Sequence, residues 1–222
     1  MISALLFANK VRLTENTDWV IFVLIACVAL LLFMMISLQR DSNIREFLLQ
    51  GFADSSNGFV SWVITSAVFC MAMAALISQY IPVVPKIISD FHPLGFELNK
   101  YGYTLFCLLL FYMVRALLGF VFFQATGNQK KWAVFYFTNT RFYFVLSLIL
   151  LVALVVHYYL GVDKRLMFSI YTVFFAAAFV FKTVYYLLHR NRVLPQQWYY
   201  KFLYICTLQI VPVLLLWKVL FF

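Results

Sequence analysis

The sequence predicts an all-α membrane protein, a bundle of six transmembrane helices joined by short loops. Three features of the chain carry that prediction. Of its 222 residues, 65% are hydrophobic and only 11% are charged. The apolar residues gather in six runs, at 19–38, 59–81, 103–123, 142–160, 168–188 and 202–221. Each run is about 20 residues, the length a helix needs to cross a hydrocarbon core of roughly 30 Å. None alternates with the period of two expected of a β-barrel strand. Lipid offers the backbone no hydrogen-bond partner, so runs of this kind form helices. The longest connection is about 20 residues, which leaves one polytopic membrane domain and no separate soluble one.

Before the first run, residues 2–7 are apolar but too short to cross. With Lys10 and Arg12 behind them they are expected along the interface. No small-residue cleavage pattern follows the first run, so it is expected to remain as span one. Residues 43–52 interleave Phe47, Leu48 and Phe52 with charge, an interfacial pattern. Span two carries Ser66, Cys70, Ala74 and Ser78 four apart, a small-residue face that lets helices approach closely in lipid. Residues 82–100 hold three of the five prolines and are also expected in the interface, with a re-entrant dip as the alternative. Span five contains the small run 176–178, again a packing signal. In span six, Pro212 cannot donate to the carbonyl of Leu208 and is expected to kink the helix, with Gln209 one turn earlier.

Six spans put both termini on one side. That side carries six Lys and Arg, or seven with Lys218, and the opposite side carries eight. The positive-inside rule therefore favours periplasmic termini and cytoplasmic first, third and fifth loops. The remaining two cations, Arg115 and Lys182, fall inside spans three and five. An intramembrane charge is a functional-site candidate. At roughly 1.5 Å per residue both lie about 9–12 Å from the more basic face, and Gln209 reaches a similar depth. No Asp or Glu lies in any run. Three arrangements fit. The two cations snorkel to lipid phosphates; they turn inward and bind an anionic headgroup or small anion; or they meet a carboxylate on another subunit.

The net charge of +9 sits in short loops beside helix ends. That placement suits anionic headgroups rather than nucleic acid, and no nucleic-acid partner is expected. Cys27, Cys70, Cys107 and Cys206 lie in four different runs without zinc spacing, so no metal site is expected. A haem with two axial histidines would need His92 to meet His157 from a loop. No cofactor is expected. Hydrolase, metalloprotease, nucleotide and dinucleotide motifs are absent, and no catalytic residue is assigned. The densest polar group, Asp90, His92 and Glu97, lacks a nucleophile or repeated ligand spacing. Spans one to three and four to six show no inverted repeat of the transporter type.

The closing stretch YKFLYICTLQIVPVLLLWKVLFF resembles the end of an uncharacterised family of Bacteroidota membrane proteins, domain-of-unknown-function family 4271. Tyr204, Cys206, Thr207, Leu208, Pro212 and Lys218 match its pattern, and Gln209 stands where an acid is common. The stretch from Val114 to Leu151 resembles the family's third-to-fourth span region. The resemblance implies the inner membrane of a Gram-negative bacterium and no catalytic residue. The function expected first is a non-catalytic subunit or accessory factor of a larger inner-membrane complex, in envelope biogenesis or protein export. Its partners would be lipids and other integral membrane proteins. The alternatives are a transporter or anion- or lipid-binding protein using Arg115, Lys182 and Gln209, and a membrane-embedded enzyme.

Overall fold

The computed structural model of the chain describes residues 18–38, 44–49, 51–52, 57–81, 99–127, 129–160, 162–188 and 197–221. All regular structure among them is helical. The elements are α1 (Asp18–Phe33), continued by the π-helical turn π1 (Met34–Leu38); α2 (Ile44–Leu49); α3 (Gly58–Ile77); α4 (Lys100–Ala125); α5 (Gln129–Tyr159); and α6 (Lys164–Leu188). The last span is composite, formed by α7 (Trp198–Leu203), π2 (Tyr204–Ile210) and α8 (Val211–Phe221). Among the described residues six helices are long and apolar enough to cross a membrane. Their exposed faces carry large apolar side chains such as Phe22, Met113, Val152, Phe181 and Leu214, as lipid-facing helices must.

The sequence places α3 at the centre. It packs against α1, α4 and most extensively α5. Its Ala72, Ala74 and Ala75 are fully buried, and Cys70 and Ser78 nearly so, while Ser66 is half-buried. Small side chains at one helix face bring the backbones close enough for Leu108, Tyr143, Leu146, Leu150 and Leu154 to pack over them. On the other side of α3, Cys27, Leu31 and Met34 pack with Val68 and Phe144. Short α2 is pinned by Phe47, whose ring meets Phe144 edge-on at 5.1 Å. At the far end Tyr103 donates to the Val219 carbonyl at 2.9 Å and ties α4 to α8. The turn between α4 and α5 uses Gly127 at φ +67, a left-handed conformation that suits a residue without Cβ.

Two features differ from the sequence expectation, and a third adds detail at Pro212. Helix α5 starts at Gln129, well before the apolar run at 142–160, because Thr138, Asn139 and Thr140 turn inward and are buried. In α6, Ala176 and Ala177 face outward, and Ala178 alone of the three packs against the core. Around Pro212 the hydrogen-bond ladder changes type, with π-helical winding over Tyr204–Ile210 and the Val211 N–H donating to the Cys206 carbonyl. Of the interfacial segments expected at 2–7 and 82–100, residues 2–7 and 82–98, with Asp90, His92 and Glu97, lie outside the described residues.

Ala74→Leu should lower thermal stability in detergent by about 1–3 kcal/mol, because the added bulk has no space between α3 and its neighbours. An unchanged melting temperature would show that this face is not closely packed.

Candidate functional site

Three spans bring their most polar residues together. Arg115 lies on α4, Lys182 on α6 and Gln209 on π2. Helices α4 and α7 extend past the apolar runs, so Arg115 and Gln209 sit about 15 Å from the helix ends, and Lys182 about 9 Å, at roughly 1.5 Å per residue. The Arg115 guanidinium donates to Gln209 Oε1 at 2.7 Å. Gln209 is buried, and its amide donates to the Tyr204 hydroxyl at 3.3 Å. Arg115 is therefore turned into the bundle, not out towards headgroups.

Lys182 is also inside, at 4% exposure. Its ammonium donates to the Tyr143 hydroxyl at 2.9 Å. It stands 4.2 Å from the Tyr143 ring centroid, 5.3 Å from Phe142 and 5.6 Å from Tyr186. Aromatic faces attract a cation through their quadrupole, more strongly where water is excluded. One turn along, the Tyr186 hydroxyl donates to Asn139 Oδ1 at 2.8 Å. Asn139 and Tyr143 lie four apart on α5, and Lys182 and Tyr186 four apart on α6, so each pair shares a helix face. The antiparallel helices are thus joined by a two-rung polar ladder. Further along, Tyr171 donates to the Ala153 carbonyl at 3.3 Å.

Tyr112 and Tyr143 complete the centre, edge-to-face at 5.6 Å. Among the described residues no carboxylate pairs with Arg115 or Lys182; amide, hydroxyl and ring groups meet them instead. Both cations keep unused N–H donors. Chemically, such a centre can hold a negative group. It has no nucleophile paired with a base, and among the described residues no three His, Cys, Asp or Glu gather to hold a metal. Cys27 and Cys70 are buried free thiols within packed helices.

Sequence reasoning singled out Arg115, Lys182 and Gln209 but missed Asn139, Tyr143, Tyr186 and Tyr204. The i, i+4 spacings of Asn139 with Tyr143 and Lys182 with Tyr186 were the available signal. Asn139 was hidden because the apolar run begins after it. Pro212 lies just beyond the π-helical turn that carries Gln209.

A second polar cluster sits at the opposite face. There Gln79 donates to Tyr158 at 2.9 Å, Tyr158 donates to the Ala75 carbonyl at 3.0 Å, and the Tyr80 hydroxyl lies 3.4 Å from His157 Nδ1. Tyr80, in the turn after α3, has its hydroxyl pushed up to about 12 by burial first and then by Tyr171 and Tyr158. The haem arrangement weighed for His92 and His157 lies outside the described residues on the His92 side.

Tyr143→Phe should destabilise the protein by about 1–3 kcal/mol, since it removes the only neutral acceptor described for a buried ammonium. Adding Lys182→Met should recover part of that loss, because removing both partners leaves no stranded charge. Strictly additive losses in a thermal double-mutant cycle would show that the two side chains do not interact.

No curated protein and no solved structure matches the chain. The sequence pattern of DUF4271, a domain of unknown function, matches residues 7–220. On a match of that extent, the chain belongs to the DUF4271 family.

Proposed function

We propose that this protein binds an anion inside the membrane, at the layer formed by Arg115, Lys182 and Gln209. The observation that carries the proposal is the convergence of two inward-facing cations in a bundle whose spans contain no acid. A buried charge needs a partner or water. Neutral dipoles and rings hold the two side chains in place, and an incoming anion supplies the missing charge. This puts the binding alternative ahead of the accessory-subunit expectation. The accessory role keeps one supporting observation: α6 turns Val173, Val180, Phe181 and Val184 outward, which leaves a broad face for a partner helix. A stoichiometric membrane partner retained in mild detergent would support it. We place the protein in a bacterial inner membrane with periplasmic termini. A periplasm-active reporter fused after Phe222 should therefore be active, and activity of a cytoplasmic reporter there would reverse the orientation.

Gln209→Glu tests the binding site without removing a cation. A carboxylate beside Arg115 supplies an internal counter-charge. The variant should be more thermostable than wild type in neutral detergent without added anion, and should gain less from dodecyl phosphate or inorganic phosphate at matched ionic strength. Lys182→Met should also reduce the gain. If neither phosphate probe stabilises the wild type beyond chloride, the anion-binding reading is wrong.

A further inference from the structure

We propose that the anion is the head of a lipid phosphate monoester with a single long apolar chain, and that the chain lies inside the bundle beside α6. This rests on the anion-binding reading and names its ligand.

The first observation is a cavity of about 460 Å³ bounded by residues of α3, α4, α5, α6 and α8. Arg115, Lys182, Tyr112 and Tyr143 form one end of it. The rest is almost wholly apolar or aromatic, with Met73, Leu108, Phe175 and Leu216 on its walls and Phe168 and Phe221 at the far end. From Lys182 back to Phe168 the cavity follows about 21 Å of α6, at roughly 1.5 Å per residue. The space exists because α6 meets the bundle through long side chains such as Tyr171, Phe174, Phe175 and Lys182, whereas α3 presents small ones to α4 and α5.

At roughly 30 Å³ per water-sized group, about 460 Å³ takes some 15 such groups, enough for one long hydrocarbon chain. An apolar cavity with a few convergent polar groups at one end is the form of a ligand site.

Charge sets the head. A phosphate monoester carries about −1.5 to −2 at pH 7 and has three strong acceptor oxygens. That complements two cations that retain unused donors after their bonds to Gln209 and Tyr143. A carboxylate or a phosphodiester would neutralise only one of them. A second cavity, of about 780 Å³, is lined by the same four residues and extends past Asn139 and Tyr136 to Trp62 near the start of α3. Among the described residues the buried Trp62 indole N–H has no hydrogen-bond partner. This second space gives the head a route between the cationic layer and the face that carries the first, third and fifth loops.

The test uses the intact protein in nanodiscs of zwitterionic lipid, with probes compared at equal mole fraction. Octyl, dodecyl and hexadecyl phosphate form the length series; inorganic phosphate, palmitate and dioleoyl phosphatidic acid are the comparisons. Binding is read by thermal shift and by native mass spectrometry. Affinity at equal mole fraction should rise along the series, with hexadecyl phosphate about tenfold or more tighter than octyl phosphate, since each added methylene exchanges fluid lipid for close contact with the cavity wall. Palmitate and phosphatidic acid should bind about tenfold more weakly than hexadecyl phosphate. Ala178→Leu, which fills the cavity one turn from Lys182, should weaken octyl and hexadecyl phosphate alike by about tenfold and leave inorganic phosphate within about twofold. The wild-type length series decides the matter even where that variant folds poorly. Affinity independent of chain length removes the chain and leaves the anion site. Equal affinity for palmitate removes the phosphate head, and equal affinity for phosphatidic acid removes the single chain. No binding of any anion overturns this inference and the anion-binding reading together.

Discussion

Two positive charges lie within apolar helices that carry no negative one, and the arrangement of the polar side chains follows from that constraint. Lipid cannot solvate Arg115 or Lys182, so each must reach a headgroup, water or an internal partner. Both turn inward, and the inward solution requires acceptors at matching depth on other spans. Gln209 and Tyr204 serve Arg115 from the last span. Tyr143, Phe142 and Tyr186 surround Lys182 from α5 and α6. Because these acceptors are neutral, they fix the cations without cancelling their charge.

The packing divides along the same line. Around α3, alanines and a cysteine bring helices together until large aliphatic residues from α4 and α5 cover them. Close contact of this kind holds a membrane bundle together where lipid supplies no hydrophobic drive between helices. Helix α6 follows a different rule. Its inward residues include Tyr171, Phe174, Phe175, Lys182 and Tyr186, which fasten it by rings and hydrogen bonds while keeping its backbone away. A rigid α3–α5 core beside a propped α6 gives both a fixed cationic centre and an apolar space next to it.

How far the sequence revealed this depends on what each element needs. The spans were legible because crossing a bilayer requires length and apolarity, both local properties. Arg115, Lys182 and Gln209 were legible because polar residues stand out in apolar runs and their depth follows from residue counting. Their directions were not, since an inward or outward turn is decided by neighbouring helices. Tyr143 and Tyr186 gave no alarm because tyrosine is as common at a membrane interface as in a core. The start of α5 was misplaced for a related reason. Thr138, Asn139 and Thr140 read as loop residues in composition, yet they sit on a buried helix face where Asn139 has Tyr186 as its partner.

Pro212 connects this local chemistry to the cationic layer. Without an N–H it cannot donate to the carbonyl of Leu208 as an α-helix requires, and the preceding turn winds more widely. In an α-helix, residues five apart lie well round the cylinder from each other. In a π-helix they face across one turn, because the hydrogen bonds run from i to i+5. Tyr204 and Gln209 are five apart, and over π2 they share a face closely enough to hydrogen-bond at 3.3 Å. The same winding points Gln209 Oε1 at Arg115, with 2.7 Å between them. The span thus changes its pitch just ahead of the proline. Regular α-winding would separate the Tyr204 hydroxyl from the Gln209 amide and leave the guanidinium with one partner where it now has a linked pair.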